Sequence, residues 1–255
     1  QVPDTTEVKL DPKTGRLIRD GVPSIINPDD KNALEEALRI KDENPDTTVT
    51  VVSMGPPQAD VAMREALAMG ADEAILISGR EFGGSDTYAT SQILAAAIKK
   101  VGVDEDDIVF CGRQAIDGDT AQVGPQIAEQ LNIPQITYVQ KLDIEGDKVI
   151  VQRQLEDGYT VVEAKMPVLL TAIKELNTPR YMTPKGIFEA YNKTVQVWGF
   201  NDVPVDAEKI GLKGSPTNVN RTFSPEAKGK GIMLEGADKE TVKTLIAKLD
   251  EKHLL

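Results

Sequence analysis

The chain holds one cysteine, Cys111, and one histidine, His253, among 255 residues. A lone cysteine excludes an intrachain disulfide framework and fits a reducing compartment. A lone histidine has no metal-ligand partner of its kind, and Asp and Glu show no recognisable ligand spacing, so no metal centre is expected. Aromatic residues are scarce at 4%, so any core must be mainly aliphatic. No apolar run approaches the ~20 residues of a membrane span, and no signal-peptide pattern is visible. The expected location is therefore cytoplasmic. Positive charge is in deficit, with a formal net charge of −12. That argues against nucleic acid as a partner, because a phosphate backbone needs a basic surface.

The residues that are present suit a real core, since 40% are hydrophobic. The length fits one large α/β domain with an appendage, or two small domains. Asp4 to Asn27 carries turn signals (Asp11-Pro12, Thr14-Gly15, Asp20-Gly21) and reads as a hairpin or extended loop. Helical spacing of Ala33, Leu34, Ala37, Leu38 and Ile40 follows a capping region at Asp29-Asp30. Thr48 to Ser53 is a β-branched run and reads as a buried strand. Pro56-Pro57 opens a helix with Val61, Ala62, Ala66, Leu67 and Met69 on its apolar side, and Gly70 ends it. Glu73 to Ser78 is the next strand. Ser85 or Asp86 caps a helix running to Lys100, with Ile93, Leu94, Ala97 and Ile98 on one face. Ile108 to Cys111 reads as a short buried strand, followed by a helix from about Thr120 that Asp119 or Thr120 can cap.

Such alternation means parallel strands joined by right-handed crossovers, an open Rossmann-like α/β sheet. Ligands of these sheets bind beyond the carboxyl ends of the strands. Asn27, Ser53-Met54-Gly55 and Gly112-Arg113 all follow apolar segments at that kind of position. The G-x-G-x-x-G fingerprint is absent, which excludes an ordinary dinucleotide-binding dehydrogenase. After Pro134 the pattern changes. Ile136 to Val139, Val149 to Gln154, Tyr159 to Glu163 and Val168 to Ile173 read as strands, with a hairpin turn at Gly146-Asp147. From about Asn201 turn residues dominate, and the chain closes on an amphipathic helix with Val242, Leu245, Ile246 and Leu249 in register.

The segment after Ile108–Cys111 carries the most chemistry. Gly112, Gly118 and Gly124 let backbone approach a ligand, and a helix start behind such a loop offers free N–H donors to a phosphate. By physics alone an ordinary strand-to-helix connection explains it equally well. Gly112-Arg113-Gln114-Ala115-Ile116-Asp117, then Asp119 and Gln122-Val123-Gly124, closely resemble the nucleotide loop of the β subunit of electron-transfer flavoproteins. Asn27-Pro28, Ser53-Met54-Gly55-Pro56, Leu67 to Asp72, and Asn177 with Pro179-Arg180-Tyr181 match further family segments in the right order. Val151-x-Arg153-x-x-Glu156-Asp157-Gly158 and Pro167-x-Leu169-Leu170-Thr171 resemble the family signature, with Thr160 where Glu or Gln is usual.

The resemblance implies a nucleotide-binding domain over residues 1–200 and a C-terminal arm over 201–255 that packs on an α subunit. It also implies that a short apolar strand, with which family members usually start, is missing before Gln1. Gly84 to Ser91 resembles the FAD-binding β subunits of electron-bifurcating members, in which Asp86, Thr87 and Thr90 at a helix start would hold a diphosphate. Ordinary members bind only AMP. The cofactor residues so implied are Asn27, Pro28, Asp29, Ser53, Met54, Gly55, Asp86, Thr87 and Thr90, with Cys111 and Gly112. The loop adds Arg113, Gln114, Ala115, Asp117, Gly118, Asp119, Thr120, Ala121, Gln122, Val123 and Gly124.

The implied function is electron transfer. FAD accepts hydride from NADH, and electrons divide between ferredoxin or flavodoxin and, through an α-subunit FAD, a flavin dehydrogenase of acyl-CoA dehydrogenase type or another. No side chain is expected to act as nucleophile or general base. Asp117 and Asp119 read as loop organisers, caps or ribose partners. Arg113 reads as a neutraliser of phosphate charge or a residue docked near the flavin, or else as a surface ion pair of little worth. Cys111 reads as a packed side chain. Asn177 to Ile187 resembles the loop that docks the dehydrogenase. Its usual leucine anchor is replaced by Pro184, which implies a different partner or contact. Two alternatives stand: a non-bifurcating β subunit with structural AMP, and a stand-alone nucleotide-binding regulatory protein.

Overall fold

A computed structural model of the chain describes residues 1–4, 23–220, 229 and 231–255. The chain divides into two compact units, Gln1–Val219 and Asn220–Leu255.

In the first unit, β1 (Val2–Pro3) pairs antiparallel with β2 (Ser24–Ile25). The hairpin or loop expected between them lies outside the described residues. Helix α1 (Pro28–Glu43) starts one residue earlier than the expected Asp29-Asp30 cap. Proline at its first position leaves no orphan N–H there. Asn27 occupies the N-cap position, and Asp29 and Asp30 fall in the first turn. Strand β3 (Thr50–Met54) follows and is half-buried throughout. Pro56-Pro57 leads not directly into an α-helix but into a 3-10 turn, Pro57–Ala59, before α2 (Asp60–Met69). Val61, expected on the apolar side, is 64% exposed. Strand β4 (Glu73–Ile77), helix α3 (Thr87–Val101) and strand β5 (Ile108–Gly112) come next. β5 is half-buried except at Gly112, where a buried strand was expected.

Helix α4 (Val123–Leu131) begins three residues later than the expected Thr120. Asp119 and Ala121 take positive φ values of 55° and 53°, which no helix can continue through, so neither Asp119 nor Thr120 caps it. Strands β6 (Gln135–Glu145), β7 (Lys148–Gln154), β8 (Tyr159–Lys165) and β9 (Val168–Ala172) follow. β6 runs well past the expected Val139. Gly146, with φ 62°, makes the expected tight turn into β7. Helix α5 (Pro184–Asn192) and strand β10 (Val195–Trp198) were not expected from the sequence. The Thr183 hydroxyl accepts the Gly186 N–H, a side-chain cap in front of a first-turn proline. A short helix, α6 (Gly211–Gly214), completes the unit.

The architecture is the expected open α/β class. Its hydrogen bonds divide the larger strands into a parallel sheet, ordered β10-β4-β3, and a mixed sheet, ordered β5-β9-β6-β7-β8. In the mixed sheet β5, β9 and β6 are parallel, and β6-β7-β8 form the antiparallel extension. Two helices tie the sheets together. Leu34 and Leu38 of α1 pack with α2 and the parallel sheet, while Ala33 packs on the mixed sheet. Helix α3 sends Ile93 and Ala97 to the parallel sheet and Ala95 to α4 and Leu169 of β9. Burying each of Leu34, Leu38 and Ile93 contributes about 1.5–3 kcal/mol and each alanine less, and both helices pack on both sheets. Val203 and Ile210, within the arm expected from 201, are buried in the first unit's core.

In the second unit α7 (Lys239–Glu251) is capped by Asp238, which accepts from the Glu240 and Thr241 N–H groups. Val242, Leu245 and Ile246 on its apolar side are about half exposed. No described helix is long and apolar enough to cross a membrane.

Candidate nucleotide site

The site is built at the carboxyl end of β5, where the chain turns into a loop before α4. The first turn of α1 holds that loop. Asn27 is 1% exposed, and its amide makes three bonds. It donates to Asp30 at 2.8 Å and to the Gln114 carbonyl at 2.8 Å, and it accepts the Ile116 N–H at 3.0 Å. The other Asp30 oxygen accepts the Gly112 N–H at 2.7 Å. A carboxylate accepting a backbone N–H beside a helix N-terminus is favoured on both counts. Asp30 was not among the residues expected at the site.

Gly112 is demanded by this same contact. A Cβ there would lie 2.5 Å from the Asp30 nitrogen and 2.7 Å from the Asp29 carbonyl carbon. The close approach that excludes a side chain is therefore made by α1 itself. At Gly124 a Cβ would meet the Thr171 methyl at 2.9 Å. Both glycines were expected to admit a ligand; packing within the chain already accounts for them.

Arg113 ion-pairs with Asp29, Nε to Oδ2 3.3 Å. Burial pushes the Asp29 carboxyl up, with Arg113 opposing and the charges of Asp30 and Glu175 adding to the rise. The Arg113 Nε is shielded from solvent and donates no hydrogen bond. Further along, the Asp119 N–H bonds the Ala115 carbonyl at 2.9 Å, and the Gln114 side chain donates to the Asp119 carboxylate. Asp117, Gly118, Asp119 and Thr120 form the exposed tip. Gln122 sits at the α4 N-cap without a side-chain cap bond, so the first-turn N–H groups of α4 lack a side-chain partner from that position.

Two more of the expected residues join this constellation from α3. The Thr87 hydroxyl donates to the Gln122 side chain at 2.9 Å. Asp86 caps α3, accepting the Ala89 N–H at 3.0 Å, and Thr90 is one turn on. Ser53, Met54 and Gly55 end β3 and bond within the parallel sheet, the Gly55 N–H to Ile77 at 3.0 Å. Cys111 is packed with Ala95, Ile127 and Leu169, and burial pushes its thiol up to about 12, aided by the Asp30 charge. Among the described residues no group of three or more His, Cys, Asp or Glu is placed to hold a metal ion.

An uncapped helix start and a braced loop, beside an Arg113 already ion-paired with Asp29, suit an anionic ligand such as a nucleotide phosphate. Fold and site thus define an open α/β protein with a braced loop at the carboxyl end of a strand, the position at which such sheets take their ligands. Comparison with known proteins takes this further. Residues 14–203 match the electron transfer flavoprotein domain, and the chain belongs to that family as a β subunit. It is 62% identical to the electron transfer flavoprotein subunit beta of Thermoanaerobacterium thermosaccharolyticum, over all of this chain and 97% of that protein. It is 59% identical to the caffeyl-CoA reductase-Etf complex subunit CarD of Acetobacterium woodii, over 100% and 97% of the two chains. With the acryloyl-CoA reductase electron transfer subunit gamma of Anaerotignum propionicum it shares 53% identity, again over 100% and 97%.

Proposed function

We propose that this chain is the β subunit of a cytoplasmic, heterodimeric, electron-bifurcating flavoprotein, and that its loop site holds FAD. The observation that carries the reading is the Asn27–Asp30 brace, which presents the 112–119 loop and the uncapped α4 start to one anionic ligand. The relatives support it, two of them being named as subunits of caffeyl-CoA and acryloyl-CoA reductase systems. FAD, when bound, supplies the exchange between two-electron and one-electron chemistry that division of electrons from NADH requires. The chain's own residues bind and orient. Val123 and Gly124 N–H groups and Arg113 would face phosphate, Asp117 or Asp119 ribose, and Thr87 and Thr90 a second phosphate.

Partners follow from exposed surfaces. Tyr181, Phe188 and Tyr191 are 95%, 76% and 71% exposed, a concentration of aromatics that suits docking of a flavin dehydrogenase. The apolar side of α7 would pack on an α subunit, and ferredoxin or flavodoxin would take the second electron.

A second reading, AMP as a structural ligand, is favoured by the engagement of α3. Its Asp86 carboxylate and Thr87 hydroxyl are already bonded within the chain, which leaves fewer donors for a diphosphate. Flavin content decides between them. Co-expression with an α subunit and reconstitution with excess FAD should give two flavins per heterodimer. One flavin with AMP in the β subunit would reject the FAD assignment.

A further inference from the structure

Asp86 does more than cap α3. Its N–H donates to the Ser215 hydroxyl at 2.8 Å. Its Oδ2 accepts both the N–H and the hydroxyl of Thr217, at 2.9 and 2.7 Å. These bonds join residues far apart in sequence and fasten the segment Gly211–Thr217 across the turn that starts α3. The fastening is tight. Ser215 is 7% exposed and donates to the Gly211 carbonyl at 2.6 Å, while the Gly211 N–H donates to the Ser85 hydroxyl at 3.0 Å. Gly211 has φ 64°, and a Cβ there would lie 2.3 Å from the Glu81 carbonyl oxygen. Thr217 lies just before Asn220, where the second unit begins.

The same residue borders the candidate nucleotide site, since Thr87, next in sequence, bonds Gln122 at the start of α4. We propose that Asp86 is a positioning residue that clasps the Gly211–Thr217 strap, and that seating of the strap and loading of the nucleotide site are thereby coupled. The physical link is charge. With the strap seated, two Thr217 donors share the Asp86 carboxylate. With it released, the carboxylate stands less compensated beside Thr87 and opposes an anion there. By linkage, a nucleotide that favours the seated strap must be favoured by it to the same degree.

The ligand half of this coupling rests on the nucleotide reading above; the clasp does not. The test uses the full chain in complex with its α subunit. Strap amide exchange is read by mass spectrometry, and FAD and AMP affinities are read by titration, in wild type, Asp86→Asn, Thr217→Val and Thr217→Ser. Thr217→Val should speed strap exchange several-fold and weaken nucleotide binding about fivefold, a coupling of roughly 1 kcal/mol, although Thr217 is no part of the proposed phosphate contacts. Thr217→Ser, which keeps the hydroxyl, should restore both. Nucleotide should slow strap exchange in the wild type by the same factor. Faster exchange with unchanged nucleotide affinity would overturn the coupling. Unchanged exchange in Asp86→Asn would overturn the clasp itself. A wild-type complex that takes neither nucleotide would instead fail the site reading, a result visible without any variant.

Discussion

Replacing Gly112 by alanine adds one methyl group where α1 leaves no room. The new Cβ would fall 2.5, 2.7 and 2.9 Å from the Asp30 nitrogen, the Asp29 carbonyl carbon and the Asp29 Cβ. Two of these are backbone atoms of a helix, which cannot swing aside as a side-chain tip would. Overpacking of this kind costs about 1–3 kcal/mol. Moving the strand end away also lengthens the 2.7 Å bond from the Gly112 N–H to Asp30, and a bond to a charged group contributes about 1.5–3 kcal/mol. Together the loss is about 2.5–6 kcal/mol. At about 2–4 °C per kcal/mol for a unit of this size, the Tm should fall by about 5–24 °C with no ligand present. Thermal melts followed by circular dichroism measure this, with Gly118→Ala as control. Gly118 has no atom within 4 Å of an added Cβ, and its substitution should stay within about 0.5 kcal/mol of wild type. If Gly112→Ala matches that control, the α1 contact is not what excludes a side chain at 112. A variant that loses only nucleotide, with its melt unchanged, would return the glycine to the ligand.

Other substitutions test other joints. Arg180 pairs with Glu35 at 2.9 Å, the two side chains being 31% and 6% exposed. Arg180→Ala should cost about 2–3 kcal/mol in urea unfolding, less than a fully buried pair because the guanidinium is part-solvated; a change under about 0.5 kcal/mol would show the pair is idle. Burial tends to raise the Asp72 carboxyl, but hydrogen bonds from Lys41 and the Val49 N–H outweigh it and hold the group below its ordinary value. The unfolded chain then binds the proton more tightly, so this contribution is present above about pH 4 and is lost as pH falls below it. The urea midpoint should drop more steeply there in wild type than in Asp72→Asn, and parallel curves would refute the assignment. With its thiol pushed up to about 12, Cys111 should react with a disulfide reagent at pH 8 only after unfolding in urea. Labelling of the native chain at a free thiol's rate would contradict its burial.

What the sequence made legible was periodicity and capping. The β-branched runs gave β3 to β5 and β9 to within two residues, and Asp86 was readable as a cap because Asp before a helical run has few other uses. The start of α4 was not legible. Asp119 and Ala121 take positive φ in the loop, and neither residue type announces it as glycine would. Helix α5 carried its signal openly in Thr183-Pro184, yet resemblance to a docking loop drew attention from it. Val61 fitted the apolar spacing of α2, but spacing cannot say which side of a helix finds a neighbour. Asp30 was hidden for a related reason. An acid in a first turn serves the helix dipole in any protein, and only the fold brings Gly112 within 2.7 Å of this one.

Helix α1 has obligations at two places along its length. Its N-cap and first turn grip the loop after β5. Its middle grips the segment that leads into α5: Asn177 exchanges bonds with Asn32 and donates to Glu36, and Arg180 reaches Glu35 and Asp42. Sixteen residues make a rod about 24 Å long, so one rigid body sets the spacing between where a nucleotide would sit and where Tyr181 and its aromatic neighbours meet the outside. Anyone building hybrids from these relatives inherits that constraint. A 177–187 segment imported with foreign partners for Glu35 and Asn32 would arrive without its mooring, and a 112–119 loop imported without Asn27 and Asp30 would lose its brace. The unit of exchange is the helix together with both of its attachments.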